Sequence, residues 1–294
     1  MGALRTPLTR EQVLAQRDAL PVFPRVIDDV LATLDDPDAN VGDLVAHVGR
    51  DPVLAAQVFS IANSAASHTR RDGKVRDLYT ATSMIGLARL RQTTIVTSLA
   101  GFLRGALPPG LSPGFWEHSA AAGVCARQVA LHVHQPGDPA LIAGLLHDIG
   151  QLWLFRFQPE LFMEAWQVAV RREMTIDAAE RERFGVDHAQ IGAWLAESWD
   201  LPPPVCAAIR HHHAPDGALH EPLVAVLHVA EVLSNALDLG GSAPRVGYLS
   251  DAACEQLGLR WDESTESLFG RIDAVSHFIS TYFRSHGVSE DVRA

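Results

Sequence analysis

The spacing of apolar residues constrains the fold of this chain more than any other feature. In almost every apolar segment these residues recur with a period near 3.6, and the β-branched alternation typical of strands is scarce. Within 43–65 the pattern predicts two helices, because Asp51 can cap a helix and Pro52 suits its first turn. Within 80–103 it predicts one or two more. Further helical patterns lie near 115–134, 139–157, 160–173, 187–199, 203–213 and 221–238. The sequence therefore predicts an all-α fold.

Composition and charge exclude several classes of protein. The chain has 294 residues and a net charge of −11 at pH 7, whereas a surface that follows nucleic-acid phosphates needs concentrated Lys and Arg. We therefore expect no general nucleic-acid binding. No 18-residue apolar run could span a membrane, and the N-terminus lacks the apolar core of a signal peptide. The three cysteines are widely spaced, which fits a reducing cytosol and predicts a cytoplasmic protein. The oligomeric state is not visible in the sequence.

The clearest break in the chain is the stretch ALPPGLSPG at 106–114. Its Pro and Gly residues predict a boundary between two helical subdomains. The GLSPG part also matches the nucleophile elbow of α/β-hydrolases, but that elbow needs a strand before the serine and a helix after it. We therefore predict a plain loop. A second Gly- and Ser-rich stretch, LGGSAPRVG, precedes a helical tail. The predicted domains are an N-terminal helical subdomain over 1–108, a second subdomain over 109–240 and a C-terminal tail over 241–294.

An imidazole and a carboxylate stand side by side in the apolar run LIAGLLHDIGQLWLFRF, at His147 and Asp148. The run is typical of a helix that is apolar nearly all round. A buried carboxylate is costly unless a positive charge or hydrogen bonds compensate it. The sequence has 14 histidines, ten of them between 115 and 239 on or near apolar helices. One such histidine is most often a satisfied core residue, but several converging with carboxylates predict a metal site.

Several motifs in a fixed order carry a resemblance to a known superfamily. They are Trp116-x-His118-Ser119, the stretch GLLHDIG, Gly185-x-x-His188, the His212-His213 pair followed by Pro215, and His228-x-x-Glu231. In this order they resemble the HD superfamily of metal-dependent phosphohydrolases. The stretch from Leu20 through Asp51-Pro52 to Ala65 is more closely similar to the HDOD family, and the likeness runs to about Leu239. It implies a multi-helix HD-like bundle preceded by an N-terminal HDOD helical subdomain.

The resemblance to binuclear members of the superfamily implies a set of metal ligands. His118, His147, Asp148 and Glu231 would hold one ion, and Asp148 would bridge to a second ion held by His188, His212 and His213. The last two are preferred to His211 because the family has a proline two residues after the pair. Two cations that share a carboxylate can activate water and bind a phosphoryl group, so catalysis would centre on His147 and Asp148. The resemblance favours iron or manganese over zinc, nickel or magnesium.

Three features depart from the pattern of the active enzymes. Glu231 stands where the pattern has Asp, which keeps the charge and moves the oxygens. Gln151 replaces the Lys that often follows the HD-x-G motif, and a neutral amide cannot supply a positive charge to a phosphate. The segment after His213 lacks the Gly-Tyr-Pro element of the HD-GYP branch, so cyclic di-GMP is not the expected substrate. Arg156 or Arg210 could bind phosphate instead, although a solvated helix face is favoured for each.

The sequence leaves three functional hypotheses. The favoured one is a bacterial signalling or regulatory module with a metal site in its HD-like half, which acts on a partner protein or a small phosphorylated ligand. The alternative is an active metal-dependent phosphohydrolase or phosphodiesterase that acts on a nucleotide or phosphodiester. The least favoured hypothesis is a helical domain whose histidines only hydrogen-bond to one another.

Overall fold

The computed structural model describes residues 7–35, 41–67, 75–106, 114–239, 247–263 and 265–272. The regular secondary structure of these residues is helical and contains no strand, so the all-α prediction is confirmed. Residues 265–272 are also helical. The α-helices are α1 (Arg10–Leu14), α2 (Val26–Asp35), α3 (Val41–Arg50), α4 (Pro52–Ser67), α5 (Leu78–Ile85), α6 (Leu87–Ala106), α7 (Gly114–His132), α8 (Gly137–Leu146), α9 (Ile149–Phe157), α10 (Pro159–Arg172), α11 (Ile176–Phe184), α12 (His188–Ser198), α13 (Pro203–His211), α14 (Pro222–Ala236) and α15 (Asp251–Gln256).

The described residues among 21–106 form one compact unit that contains α2 to α6. The predicted start of α4 is confirmed: the Asp51 Oδ1 atom accepts hydrogen bonds from the backbone N–H groups of Val53 at 2.8 Å and Leu54 at 3.2 Å. The segment 80–103 belongs to two helices rather than one. Gly86 separates them with a positive φ of 79°, a conformation that glycine adopts without steric cost.

The described residues among 1–20 and 107–294 form the second compact unit. Its centre is the pair α7 and α8, against which α14 packs. The two helices approach closely at two glycines, because a Cβ atom on Gly144 would lie 2.5 Å from the Cα atom of Gly123. No larger residue fits at this crossing. The close approach brings the C-terminal end of α8 beside the N-terminal part of α7.

The predicted helix at 139–157 is wrong as a single element. The structure has α8 up to Leu146 and α9 from Ile149, with a turn at His147 and Asp148 between them. Asp148 has φ −97° and ψ 12°, outside helical geometry. After the turn, α9 packs on the start of α12, since a Cβ atom on Gly150 would lie 2.0 Å from the carbonyl oxygen of His188. Apolar content alone does not reveal such a turn, because both helices are buried.

Two helices of this unit, α1 and α11, were not predicted. Helix α11 carries the sequence IDAAERERF, whose charged residues hide its apolar face. Its end does carry a sequence signal, because Gly185 follows in the left-handed conformation that commonly ends helices.

The predicted division at 1–108, 109–240 and 241–294 stays a prediction. The compact units place residues 7–20 with the later helices: Leu8 N donates to Phe184 O at 2.8 Å, and Arg10 lies 3.5 Å from Glu197. The predicted loop with GLSPG at 107–113 lies outside the described residues. The three cysteines are free and buried. In the part of the chain that the structure describes, no helix is long and apolar enough to cross a membrane.

Candidate metal centre

Five different parts of the second unit contribute to one polar cluster in its core. We call the seven residues predicted as metal ligands the ligand cluster. The structure brings all seven together, in three overlapping groups whose ligand atoms lie within 4.8 Å of one another. That they bind metal stays a prediction. His118 lies on α7, His147 and Asp148 in the turn before α9, His188 at the start of α12, His212 and His213 in the turn directly after α13, and Glu231 on α14.

The first group consists of His118, His147 and Asp148. The two imidazole Nε2 atoms are 3.2 Å apart, and the Asp148 Oδ2 atom lies 3.5 Å from that of His118 and 3.4 Å from that of His147. The close approach of α7 and α8 at their glycines makes this geometry possible. Three donor atoms of types that divalent transition metals prefer thus face one point.

The second group consists of His188, His212 and His213. The Nε2 atoms of His188 and His213 are 2.8 Å apart, and the rings of His212 and His213 have centroids 3.9 Å apart. The other oxygen of Asp148, Oδ1, lies 3.2 Å from His188 Nε2. The two oxygens of Asp148 therefore face different groups, which is the arrangement a bridging carboxylate requires.

Glu231 joins the cluster with His147 and His212 as the third group. Its Oε2 atom lies 3.9 Å from His212 Nε2, a distance too long for a hydrogen bond. Accordingly, the fully buried His212 Nε2 atom has no hydrogen-bond partner among the described residues. A buried imidazole nitrogen of this kind is costly unless something else contacts it, and a metal ion fits that position.

Hydrogen bonds on the far side of two rings direct their lone pairs into the cluster. His147 Nδ1 lies 2.8 Å from the carbonyl oxygen of Gly144, and His212 Nδ1 lies 2.7 Å from that of Ile209. A carbonyl oxygen can only accept, so each Nδ1 carries the proton and each Nε2 of the neutral ring keeps its lone pair. Metal-binding histidines usually have this arrangement.

The sequence analysis missed a buried carboxylate that holds His188. Glu180, on the unpredicted helix α11, accepts at Oε2 from the His188 ring nitrogen Nδ1 at 2.6 Å and from its backbone N–H at 2.8 Å. Its side chain is fully buried. A carboxylate behind a metal-binding histidine fixes the ring and raises its basicity. The sequence does contain a glutamate eight residues before His188. Its contact with His188 could not be predicted, because the turn between α11 and α12 brings the two residues together.

Burial and mutual charge shift the pKa values of the cluster strongly. Burial raises the pKa of Glu231 to about 8, helped by the negative charge of Asp148. Burial lowers the pKa of His147 to about 4, against the opposing effect of Asp148. For Asp148 itself, burial would raise the pKa, but His147, His188 and His118 hold it well below the usual value. The pKa of His188 is raised well above its usual value, because Glu180 and Asp148 outweigh burial.

The residues considered as phosphate ligands make other contacts. The Gln151 side-chain N–H donates to Asp148 Oδ1 at 3.1 Å, so the amide supports the cluster carboxylate. Arg210 pairs with Glu197, and Arg156 donates to the carbonyl oxygen of Ala19 at 3.2 Å. Both contacts leave the arginines partly exposed on their helix faces, with the Arg210 side chain 29% exposed.

Comparisons with known proteins agree with this architecture. A model of the HDOD domain matches residues 20–215. A Treponema pallidum (strain Nichols) protein named "Uncharacterized protein" is 26% identical over 230 residues, which are 75% of this chain and 43% of that protein, so the chain spans less than half of this relative.

Three solved structures are similar along most of the chain. An HDOD domain protein with unknown function from Geobacter sulfurreducens, at 22% identity, shares the fold with a TM-score of 0.66 and coverage of 94% of this chain and 92% of the other. A "Putative phosphohydrolase" from Shewanella amazonensis SB2B is 25% identical, with a TM-score of 0.64 and coverage of 90% and 93%. A "Putative signal transduction protein" from Marinobacter aquaeolei VT8 is 26% identical, with a TM-score of 0.67 and coverage of 95% of this chain and 63% of that one. Since the family model matches well over half of its length, the chain belongs to the HDOD domain family.

Proposed function

We propose that the ligand cluster binds two divalent metal ions that share Asp148, and that the chain works as a signalling or regulatory module. The observation that carries the metal site is the division of Asp148: Oδ2 faces His118 and His147, while Oδ1 faces His188. One carboxylate between two sets of imidazoles has the geometry and the charge that a bridging ligand needs.

The donor set limits the choice of metal. Five imidazoles with two carboxylates suit iron, manganese, zinc or nickel better than magnesium, which prefers oxygen ligands. Among these, iron or manganese is our proposal. Bound ions of this kind act as Lewis acids and lower the pKa of bound water. The protein's own part is to orient the imidazoles: Gly144 O and Ile209 O hold the neutral rings of His147 and His212, and Glu180 holds the ring of His188.

The surroundings of the cluster support a regulatory role. Where active relatives have a Lys, Gln151 donates to Asp148 and brings no charge. The nearby guanidinium of Arg181 contacts the carboxylates of Asp177 and Asp187, and that of Arg210 contacts Glu197. Both guanidinium groups are therefore already paired among the described residues, and a phosphate at the cluster would draw on the charge of the metals. The similar structure named for signal transduction favours the same role.

Catalysis is the second candidate, and one observation favours it. The side chains of His118 and Glu231 stay 18% and 13% exposed, so the cluster is open to water on the side of these two residues. Asp148 and His147 would then orient the reacting groups. The similar structure named as a phosphohydrolase points the same way.

The test is metal analysis of the full chain purified without a histidine tag, followed by chelation. We expect one to two equivalents of metal and a lower melting temperature after chelation, because ions that bind only the folded state stabilise it. Absence of metal together with an unchanged melting temperature would refute the metal site.

Turnover then separates the two roles. Phosphodiesters, nucleotides and cyclic dinucleotides are offered to the metal-loaded protein, with Asp148→Ala as the inactive reference and Glu164→Gln, an exposed carboxylate on α10, as the matched control. If the parent and Glu164→Gln turn over a substrate and Asp148→Ala does not, the chain is an enzyme and the proposed regulatory role is wrong. No turnover across the panel supports the regulatory module.

A further inference from the structure

A hydrogen-bond network behind the ligand cluster links it to the C-terminal part of the chain. His228, on α14, is 3% exposed and donates from Nδ1 to the carbonyl oxygen of His212 at 2.7 Å. Its other nitrogen, Nε2, accepts the backbone N–H of Ser250 at 3.0 Å. The neutral imidazole thus uses both nitrogens, one as donor and one as acceptor. The peptide of a predicted metal ligand is held through His228 by a residue 38 positions further on.

Ser250 makes a second contact to the same loop. Its hydroxyl donates to Asp216 Oδ1 at 2.5 Å, in the short 3-10 turn Pro215–Gly217 that follows His213. The hydroxyl oxygen also accepts the backbone N–H of Ala253 at 3.1 Å and so caps α15. Ser250 is 1% exposed. The loop that starts at His212 is therefore held at both ends, at His212 O and at Asp216.

Apolar packing fixes the segment that carries Ser250. Ala253 and Leu259 are buried, and α15 packs against α14 and the 3-10 turn. This segment begins beyond residue 215, where the match to the family model ends. Breaking the network would leave buried polar groups without partners, which is costly. The network is therefore a firm connection between a segment outside the family match and the loop of ligands.

We infer that the Ser250 network, which consists of Ser250, His228 and Asp216, positions His212 and His213 for metal binding, so that the C-terminal segment sets the metal affinity of the cluster. The inference rests on the proposed metal function. None of the three residues needs to touch the metal. Each acts through the peptide or the loop of a ligand, and outer partners of this kind typically change metal affinity by about 10- to 100-fold.

The test is zinc titration into the metal-free full chain and two variants. Ser250→Ala keeps the backbone N–H to His228 and removes the bond to Asp216. His228→Gln places an acceptor near the position of Nε2 and removes the Nδ1 donor to His212 O. We expect each variant to bind zinc about tenfold more weakly. In the metal-free state we also expect faster hydrogen exchange at the Ala214 amide, which donates to His211 O within the same loop.

Asp77→Ala is the matched control for loss of a helix cap. Asp77 caps α5 in the other compact unit by accepting from Thr80 N at 2.7 Å. It should lower stability through the lost cap alone and leave zinc affinity and Ala214 exchange unchanged. Zinc affinity and exchange at the parent values in both network variants would overturn the inference. A parent chain that binds neither zinc nor iron nor manganese would refute the proposed metal function instead. The exchange rates of the Ala214 amide would then test the network by themselves.

Discussion

Metal binding should release a proton from Glu231, and the number of protons can be worked out from the structure. In the metal-free protein the pKa of this carboxyl is raised to about 8 by burial and by Asp148. At pH 7 about 0.9 of the Glu231 side chains therefore carry a proton, and at pH 9 about 0.1. A carboxyl must lose its proton to ligate a metal. His147 and His213, whose pKa values burial lowers to about 4 and about 3, are neutral at pH 7 and release none.

Calorimetric zinc titrations in buffers of different ionisation enthalpy count the released protons. The parent should release about 0.9 proton more than Glu231→Gln at pH 7, and the difference should shrink to about 0.1 at pH 9. For each pH unit below 8, the zinc affinity of the parent should also fall by an additional factor of about ten relative to that of the variant. His188, with its raised pKa, contributes equally to both proteins.

Glu164→Gln, the same substitution at an exposed position, controls for the loss of a carboxylate and should match the parent. Equal proton release by the parent and Glu231→Gln at pH 7 would show that metal binding does not deprotonate this carboxyl. If the two proteins also bind zinc with equal affinity, Glu231 is not a ligand, and the extra methylene relative to the Asp of the resembled pattern accounts for it.

Three further predictions test the supports of the cluster. Glu180→Ala should weaken zinc binding about 10- to 100-fold, and Glu180→Gln less, because the amide oxygen can still accept from His188; zinc titration checks both. Gly150→Ala should lower the free energy of unfolding by at least about 1–3 kcal/mol in urea, since its Cβ would lie 2.0 Å from His188 O, whereas Gly101→Ala, with no atom within 4 Å, should not destabilise. In the metal-free protein, burial keeps His147 neutral with a pKa of about 4, so its stability contribution is present above pH 6.5 and lost as pH falls toward 4. His147→Asn should flatten the pH dependence of urea unfolding there by about 1.4 kcal/mol per pH unit, and an unchanged slope would contradict the assigned burial.

The sequence predicts the helices of this fold well where an apolar face recurs. The patterns at 160–173, 203–213 and 221–238 correspond to α10, α13 and α14 within two residues at each end. The spacing of apolar residues sets the core face of each of these helices, and that spacing can be read from the sequence alone. The start of α4 at Asp51 and Pro52 was equally predictable, because a cap is a local arrangement.

The geometry of the ligand cluster could not be predicted from local spacing. Order and residue type suggested the ligand cluster, but the turn at His147 exists because α8 and α9 pack on different neighbours, at Gly144 and Gly150. Glu180 was missed for a similar reason. Helix α11 is mostly charged, and its buried glutamate acquires a role only when α12 folds back beside it. His228 has a role only through Ser250, 22 residues away.

Anomalous diffraction from crystals of the untagged protein, recorded at the iron and manganese edges, tests the central claim most directly. The account predicts two peaks that flank Asp148, one within about 2.0–2.5 Å of a His118 or His147 nitrogen and the other equally close to a His188 or His213 nitrogen. It also predicts that Asp148→Ala crystals lose at least one of them. Crystals grown with added iron and manganese that show no peak at the ligand cluster would contradict the account.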